Sequence, residues 1–378
     1  GVQTRTFAYN SLSRLTSATN PESGTITYSY DANGNLTGKT DARGVSTTIT
    51  YDALNRATFK NYSDSTPDIT YTYDDPAVPF SKGKLTKTAS TVSESSILAY
   101  DVKERVISSR QRTDGTNYDF AYTYNLDDDL TSQTYPSGKV VNFAYDSSGD
   151  LSSVNGANRI YANSFSYAPH GQVKKVRLGN GKWETTKFNA EKQITEISLG
   201  NSAGNAGLWK VNYEYGEHQQ NGTIDAVKNN GSLARQTISV PTIGAATGFT
   251  ATQNYTYDPL DRIKSATESI SGNQSWKQTF NFDRFGNRSF DAANTTLQSV
   301  DSAIPKVTNP EIQPSNNKLK EDQDDDGIAD YLYDASGNLT KDAKDQQFDY
   351  NAENLQISAT GNSLSMQYSY DGSNKRVK

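Results

Sequence analysis

The nine residues YSYDANGNL at positions 28–36 decide the fold of this chain. Aromatic residues two positions apart, such as Tyr28 and Tyr30, point to the same face of a β-strand. The Asp31 carboxylate can cap its own backbone, and Gly34 can adopt the positive φ that a tight turn requires. A second stretch rich in Thr and Lys begins at Leu36. These residues therefore predict an antiparallel β-hairpin.

The same pattern recurs along the whole chain. FAYDSSGDL occupies positions 143–151, YLYDASGNL occupies 331–339, and weaker copies bring the total to about fifteen. The second aromatics of the first three copies, Tyr9, Tyr30 and Tyr51, are 21 residues apart. Beyond the first hairpin, the residues assigned to the repeat motif are Phe143, Tyr145, Asp146, Gly149, Tyr255, Tyr257, Asp258, Phe280, Phe282, Asp283, Gly286, Tyr331, Tyr333, Asp334, Gly337, Tyr368, Tyr370 and Asp371. The pattern predicts an all-β chain of tandem antiparallel hairpins that form one continuous, curved sheet.

The composition fits such a sheet. Of 378 residues only 33% are hydrophobic, yet 24 are Tyr, 13 Phe and 3 Trp. A sheet with two partly wet faces needs few aliphatic residues. Tyrosine suits it, because the ring packs while the hydroxyl stays in water. We therefore expect a folded chain with a thin core.

Several functional classes are excluded by the same counts. The chain has no Cys, which rules out disulfides, thiolate metal sites and Cys nucleophiles. A net charge of −6 and the lack of a basic cluster argue against a nucleic-acid partner. No apolar run approaches the roughly 18 residues of a membrane-spanning helix.

The repeat resembles the YD repeat of the Rhs family, which is shared with Tc toxin B and C components and teneurins. Further similarity to bacterial Rhs proteins lies in YEYG at 213–216, NGTI at 221–224, NYTYDPLDRI at 254–263, WKQTFNFDRFGNR at 276–288 and YSYDGSNKRVK at 368–378. The resemblance covers essentially residues 1–378, which we expect to be one repeat domain. Residues 217–253 and 291–330 depart from the repeat and are expected to be insertions or irregular loops within it.

The resemblance implies that the chain is part of a spiralling β-sheet shell. Such shells belong to secreted or cell-surface polymorphic toxins of bacteria and enclose a C-terminal toxin domain, which would lie after residue 378. The expected partners are this downstream domain, as enclosed cargo, and neighbouring shell segments. The alternative is a structural or adhesive surface protein that forms fibres or binds glycans, with Trp183, Trp209 and Trp276 as candidate platforms. Exposed sheet edges would also allow self-association.

An acidic loop is the one candidate cofactor site. It reads DQDDDGIAD at positions 322–330, and its expected ligands are Asp322, Asp324, Asp326, the backbone carbonyl of Ile328, and Asp330. Oxygen ligands at this spacing, with a glycine at the sixth position, are typical of calcium loops. Tyr333 replaces the bidentate Glu of an EF-hand, and Asp334 either substitutes for it or serves its own turn. The alternative is a solvated acidic loop.

Catalysis is not expected. The motif G-x-S-x-G occurs at 200–204, but a nucleophile elbow needs a strand before it, a helix after it, and a His and an acid nearby. The segment lies in a connection rich in Gly and Asn, and the only histidines are His170 and His218, which we expect at the surface. Two isolated histidines also make no zinc site.

Overall fold

The computed structural model describes residues 3–296, 309–361 and 363–378, and the structural statements below concern these residues. Within these ranges there is no α-helix, and two 3-10 turns occur at Ala226–Lys228 and Ala292–Asn294. No described helix has the length and hydropathy needed to cross a membrane. The chain forms two compact units. The first comprises Gly1–Thr123, Thr134–Gly138 and Ile304–Lys378, and the second comprises Tyr124–Gln133 and Lys139–Ala303.

The strands that begin in the first unit fall into two groups. The first group is β1 (Thr6–Tyr9), β2 (Leu15–Asn20), β3 (Gly24–Tyr30), β4 (Leu36–Thr40), β5 (Ser46–Tyr51), β6 (Ala57–Tyr62), β7 (Ile69–Tyr73), β8 (Leu85–Ala89), β9 (Ser93–Tyr100), β10 (Val106–Thr113) and β11 (Thr116–Tyr124). The second group is β27 (Leu332–Tyr333), β28 (Leu339–Lys341), β29 (Gln347–Tyr350), β30 (Gln356–Gly361) and β31 (Leu364–Gln367).

The second unit holds the remaining strands. They are β12 (Leu130–Thr134), β13 (Val140–Tyr145), β14 (Leu151–Gly156), β15 (Ile160–Tyr167), β16 (Val173–Leu178), β17 (Trp183–Phe188), β18 (Ile194–Gly200), β19 (Trp209–Tyr215), β20 (Glu217–His218), β21 (Ile224–Asp225), β22 (Leu233–Val240), β23 (Phe249–Tyr257), β24 (Ile263–Ile270), β25 (Asn273–Phe282) and β26 (Arg288–Phe290).

These strands form three antiparallel sheets. Strands β1–β19 and β22–β26 belong to one 24-stranded sheet, β20 and β21 form a two-stranded ribbon, and β27–β31 form a five-stranded sheet, here called the C-terminal sheet. Strands that follow one another in sequence pair with each other, as β3 does with β2 and β4. The predicted all-β chain of tandem hairpins is confirmed.

The core of the sheet is thin. Most strand positions are half-buried, and the buried hydrophobic residues are mainly small side chains at single positions of separate strands: Ala18, Val141, Val176, Val211, Ala234, Ala251 and Ala266. Strand β3 shows the underlying alternation, because Ile26, Tyr28 and Tyr30 are half-buried while the residues between them are exposed. A sheet stabilised in this way needs little aliphatic surface.

The two segments expected to be insertions have different structures. Residues 217–253 contain the β20–β21 ribbon and a 3-10 turn. They also contain β22, a full member of the main sheet that pairs with β19 and β23. This segment is therefore only partly irregular. In residues 291–330, positions 297–308 lie outside the described residues. The described remainder forms a 3-10 turn, an isolated bridge between Ile312 and Leu319, and the acidic loop.

Candidate functional site

The repeat hairpin is built around its turn. In the hairpin of β3 and β4, the Asp31 carboxylate accepts hydrogen bonds from the backbone N–H of Asn35 at 2.8 Å and from the Asn35 side chain at 2.8 Å. Gly34 has φ of 91° and donates its N–H to the Asp31 carbonyl at 3.2 Å. The side-chain bond from Asn35 is the main reason that the pKa of Asp31 lies below its ordinary value.

In eight copies, a tyrosine hydroxyl fastens the strand to an earlier one. A bulge between Ser29 and Tyr30 interrupts the pairing of β3 with β4. The Tyr30 hydroxyl donates to the carbonyl of Leu15 at 2.8 Å. The same bond to the first residue of an earlier strand recurs at Tyr51–Leu36, Tyr100–Leu85, Tyr145–Leu130, Tyr167–Leu151, Tyr215–Ile194, Tyr257–Leu233 and Tyr370–Gln356. These hydroxyls bond to the backbone, which differs from the expectation that they would stay in water.

Cations also link successive turns. Arg56 pairs with Asp52 of its own turn and with Asp74 of the next turn, both at 2.7 Å. Its guanidinium lies 4.4 Å from the ring centre of Tyr73. Hydrogen bonds from Arg56, through its backbone N–H and its guanidinium for Asp52 and through its guanidinium for Asp74, lower the pKa of both carboxyls. The two carboxylates in turn raise the pKa of Arg56. The turn thus supplies both an anion and a cation to hold its neighbour.

The C-terminal sheet docks on the first repeats of its own unit. The Glu353 carboxylate accepts bonds from the Lys60 ammonium at 2.8 Å and from the Tyr62 hydroxyl at 2.7 Å. Beside them, the buried side chains of Tyr62, Ile69 and Ala352 form the core of the contact. Burial opposes the charge on Glu353, but Lys60 and Tyr62 outweigh it and lower the pKa of that carboxyl. This contact joins residues almost 300 positions apart.

A second group of contacts anchors the same docking. Arg43 donates to the Asn351 carbonyl at 3.0 Å and lies 3.6 Å from the Asp334 carboxylate. The backbone N–H of Ala352 donates to the Thr66 hydroxyl at 2.8 Å. A cavity of about 90 Å³ remains beside this contact, lined in part by Tyr62, Ile69, Glu353, Tyr368 and Tyr370.

The acidic loop brings three of its four predicted carboxylates together. One ligand oxygen each of Asp322, Asp324 and Asp330 lie within 4.8 Å of one another, and Asp330 is buried. The Asp322 Oδ2 atom accepts from the Gly327 N–H at 2.9 Å, whereas Oδ1 of the same carboxylate is buried and has no hydrogen-bond partner. Burial disfavours the charge on Asp322. Backbone N–H groups, chiefly that of Gly327, outweigh burial and lower the pKa of this carboxyl.

The fourth predicted carboxylate, that of Asp326, is not among these three. The Asp326 carboxylate accepts the N–H of Ile328 at 2.8 Å, and the Ile328 side chain is exposed. The Tyr333 hydroxyl accepts the N–H of Leu319 at 3.1 Å. Asp334 accepts both the backbone and the side-chain N–H of Asn338 at 2.9 and 2.8 Å. Of the two roles open to Asp334, the structure places it in its own turn.

The histidines, the G-x-S-x-G segment and the tryptophans, which were considered for zinc binding, catalysis and glycan binding, make contacts within the fold. His170 packs edge-on against Phe188, and the His218 Nε2 atom lies 2.9 Å from the Ala234 carbonyl oxygen and 3.1 Å from that of Tyr255. Both histidines are half-buried, so their expected surface position is wrong. In the G-x-S-x-G segment, the Ser202 carbonyl accepts the N–H of Asn205 in a turn, and no helix follows. The three tryptophans are half-buried strand residues.

Solved structures with a similar fold include Tc toxin complexes. The crystal structure of TcdB2-TccC3-Cdc42 matches with a TM-score of 0.77 at 17% identity, covering 98% of this chain and 20% of that chain. The crystal structure of TcdB2-TccC3 matches with a TM-score of 0.77 at 16% identity and the same coverage. The structure of a Photorhabdus luminescens Tc holotoxin pore carrying a TccC3 mutation matches with a TM-score of 0.76 at 16% identity, again over 98% and 20%. The chain thus spans about a fifth of the length of these proteins.

The sequence itself identifies the repeat. The model of the family described as RHS Repeat matches residues 9–45, 30–58 and 124–159. Residues 9–58 and 124–159 therefore carry RHS repeats. Among curated proteins, none matches it significantly.

The structure places the predicted motif residues of the different copies in equivalent positions. The first and second aromatics lie on strands in most copies. The Asp residues begin turns, and Gly149, Gly286 and Gly337 have φ between 83° and 89°. The copy in β25 differs from this pattern, because it has Phe at both aromatic positions. Phe280 is buried, and its ring centre lies 5.3 Å from that of Phe290. Phe282 has no hydroxyl, and its ring centre lies 4.3 Å from the Arg262 guanidinium.

Two sets of contact residues were not assigned from the repeat pattern alone. The carbonyl acceptors of the tyrosine hydroxyls could have been found, because most of them are the Leu or Ile that follows each turn. Lys60 and Glu353 carry no signal, since neither belongs to the repeated pattern.

Proposed function

We propose that this chain is a non-catalytic segment of an exported bacterial RHS-repeat protein whose β-sheet shell encloses a C-terminal toxin or effector domain beyond residue 378. The single observation that carries this proposal is the tyrosine hydroxyl bond repeated from Tyr30 to Tyr370. In eight copies it fastens a strand to an earlier one without a thick apolar core, so the sheet can extend by adding hairpins. The fold likeness to Tc toxin complexes supports the same role.

Limited proteolysis tests enclosure. The coding region is expressed with its natural downstream sequence, and the purified protein is treated with protease with and without urea. Enclosure predicts that the downstream domain survives until the repeat sheet unfolds. Cleavage of the downstream domain at the same rate in both conditions would contradict the proposal.

The alternative is a structural or adhesive surface protein. It draws on the exposed apolar side chains at turn tips, since Leu12, Leu54 and Leu260 are 68%, 70% and 72% exposed. A fibre or adhesin would use such side chains for contacts with other copies or with a cell surface. Electron microscopy of the same preparation separates the two, because a closed particle supports enclosure and an open polymer supports adhesion.

We also propose that the acidic loop binds Ca²⁺ through Asp322, Asp324 and Asp330. Three carboxylate oxygens that converge within 4.8 Å repel one another unless a cation neutralises them. The buried Asp322 Oδ1 atom, which lacks a donor, is the observation that favours an ion over a solvated loop. Extracellular calcium modules bind with dissociation constants of roughly 10⁻⁴ to 10⁻³ M, and this affinity suits an exported protein.

Calorimetric titration of the chain with CaCl₂ tests the site. We expect heat of binding in wild type, none in Asp322→Asn, and wild-type heat in Asp325→Asn. Asp325 is a matched control, because it lies in the same loop but pairs with Lys320 at 2.7 Å and is not among the clustered carboxylates. Absence of heat from wild type at millimolar Ca²⁺ would reject the site.

A further inference from the structure

One hairpin of the main sheet has a much longer connection than its repeat requires. Tyr215 pairs with Leu233 across a bulge, as do the residues that flank the short turn at 31–35. Residues 216–232, here called the excursion, therefore stand in the place of that turn. They form the β20–β21 ribbon and a 3-10 turn. The hairpin could close without this additional structure.

The excursion is fastened to the sheet at several points. The His218 Nε2 atom contacts carbonyl oxygens of two strands, β22 and β23. The Arg235 guanidinium donates to the Gly222 carbonyl at 2.6 Å, and the Asn229 side chain donates to that of Gln193 at 2.6 Å. A segment that is ordered in advance loses less conformational entropy when a ligand binds to it.

A pocket of about 390 Å³ lies between the excursion and the turn that joins β23 to β24. Ligand pockets typically measure roughly 300–1,000 Å³ and combine ring surface with a few polar groups. The lining of this pocket includes Tyr255, Tyr257, Asn230, Ser232 and Asp261. The excursion thus completes a space of the size and composition of a ligand site.

The tyrosines offer ring surface to this pocket, because their hydroxyls are engaged. The Tyr257 hydroxyl donates to a backbone carbonyl of β22 at 2.8 Å, and the Tyr255 hydroxyl donates to the Gln253 side chain at 2.6 Å. Free polar groups lie beside them. Asp261 accepts the Asn230 side chain through Oδ1, which leaves Oδ2 available. The Ser232 hydroxyl has no hydrogen-bond partner among the described residues.

The charges of the pocket are nearly balanced. Glu217 pairs with Lys228 at 2.6 Å, and Asp258 pairs with Arg262 at 2.6 Å. Of the carboxylates that line the pocket, Asp261 has no cationic partner within the described residues. A single free carboxylate is too few for Ca²⁺, which takes six to eight oxygen ligands, and it would repel an anion. These groups therefore suit a neutral ligand with both polar and apolar surface.

We propose that this pocket binds one pyranose ring of a glycan. A pyranose carries C–H groups on its faces and hydroxyls around its edge. Its C–H face packs on the rings of Tyr255 and Tyr257. One of its hydroxyls donates to Asp261 Oδ2, and another bonds with the Ser232 hydroxyl.

The sugar site goes beyond the enclosure role. Its biological use rests on the adhesive alternative, for which it supplies a glycan contact. Failure of sugar binding would remove that contact alone, because the proteolysis and electron microscopy results do not depend on it.

Saturation-transfer NMR of the full chain tests the site. The probes are the methyl glycosides of glucose, galactose, mannose and N-acetylglucosamine at millimolar concentration, and agmatine serves as a cationic probe. Asp261→Asn removes the carboxylate, and Asn tolerates the φ of 56° at this position. Asp128→Asn is the matched control, because Asp128 has the same turn position and a φ of 72° but lies outside the pocket.

We expect saturation transfer to at least one glycoside in wild type and in Asp128→Asn. The affinity should fall by roughly tenfold or more in Asp261→Asn, since a hydrogen bond to a charged acceptor is lost. A second variant replaces residues 216–232 by residues 31–35, and it should lose binding but keep the circular dichroism of the sheet.

Transfer to none of the glycosides in wild type would overturn the proposal, and so would equal affinities of wild type and Asp261→Asn. Transfer to agmatine alone would also overturn it, because the pocket would then accept a cation.

Discussion

The Tyr51 hydroxyl donates a hydrogen bond of 2.9 Å to the carbonyl of Leu36, fifteen residues earlier in the chain. The bond crosses from one hairpin to the one before it. It exists because a bulge at Tyr51 shifts the register of its strand. Burial raises the pKa of the Tyr51 hydroxyl, so this group stays protonated and remains a donor throughout the physiological range.

Tyr51→Phe removes this donor while keeping the ring. We expect the free energy of unfolding to fall by about 1 kcal/mol, the usual net contribution of one hydrogen bond. Urea denaturation followed by circular dichroism measures the change. Tyr9→Phe is the matched control, since the Tyr9 hydroxyl has no partner among the described residues, and it should leave stability unchanged. An equal effect of the two substitutions would show that the hydroxyl bond adds nothing.

Alanine substitutions at two turn glycines distinguish the cost of backbone strain from the cost of disrupting the docking of the C-terminal sheet. Gly149 has φ of 83° and open space around its Cβ direction, so Gly149→Ala should cost only the strain of a left-handed alanine, about 1 kcal/mol. Gly337 has φ of 86°, but a Cβ there would overlap the backbone carbonyl of Glu22. We therefore expect Gly337→Ala to cost clearly more than Gly149→Ala in the same denaturation experiment. Equal costs would mean that the Gly337 turn is not packed on the first repeats.

Ile69 tests the core of the docking contact. Its side chain is 5% exposed and packs with Tyr62 and Ala352. Ile69→Ala leaves a cavity and should lower the free energy of unfolding by about 2–4 kcal/mol. Ile160→Ala removes the same atoms from a side chain that is 48% exposed, and it should cost much less. A small loss for Ile69→Ala would show that the C-terminal sheet is not held by this contact.

The repeat hairpins could be predicted from sequence because their signals are local. Aromatic residues at positions 28 and 30, Asp31 and Gly34 specify a strand face and a turn within seven residues. The bond from Tyr30 to Leu15 was not predicted, because it depends on a bulge that spacing does not reveal. The contact of Lys60 with Glu353 was beyond prediction for another reason: it joins two non-repeated residues across the chain.

The acidic loop shows the limit of motif reasoning. Of the four carboxylates predicted at calcium-loop spacing, Asp322, Asp324 and Asp330 converge. The Asp326 carboxylate instead bonds the backbone of Ile328. Sequence spacing fixes which residues can reach an ion, while the local turns decide which of them do.

We expect the stability of the docked C-terminal sheet to depend on pH through protonation of the Glu353 carboxylate. Its pKa is lowered in the folded protein. The stability it contributes is therefore fully present above the ordinary carboxyl pKa of roughly 4.3 and is lost as the pH falls through the lowered value. Because its side chain is 18% exposed, we expect Glu353→Gln to ease opening of β29 and β30 by about 2 kcal/mol at pH 7 and by less at pH 3.

Hydrogen exchange of residues 347–361 at both pH values measures this opening. Glu104→Gln is the control, because its side chain is 66% exposed beside Lys84 and it should change exchange at neither pH. If Glu353→Gln weakened protection equally at pH 3 and pH 7, the ion pair with Lys60 would not be the source of its effect. Loss of side-chain packing would then explain the change, and the docking contact would not respond to pH through this carboxylate.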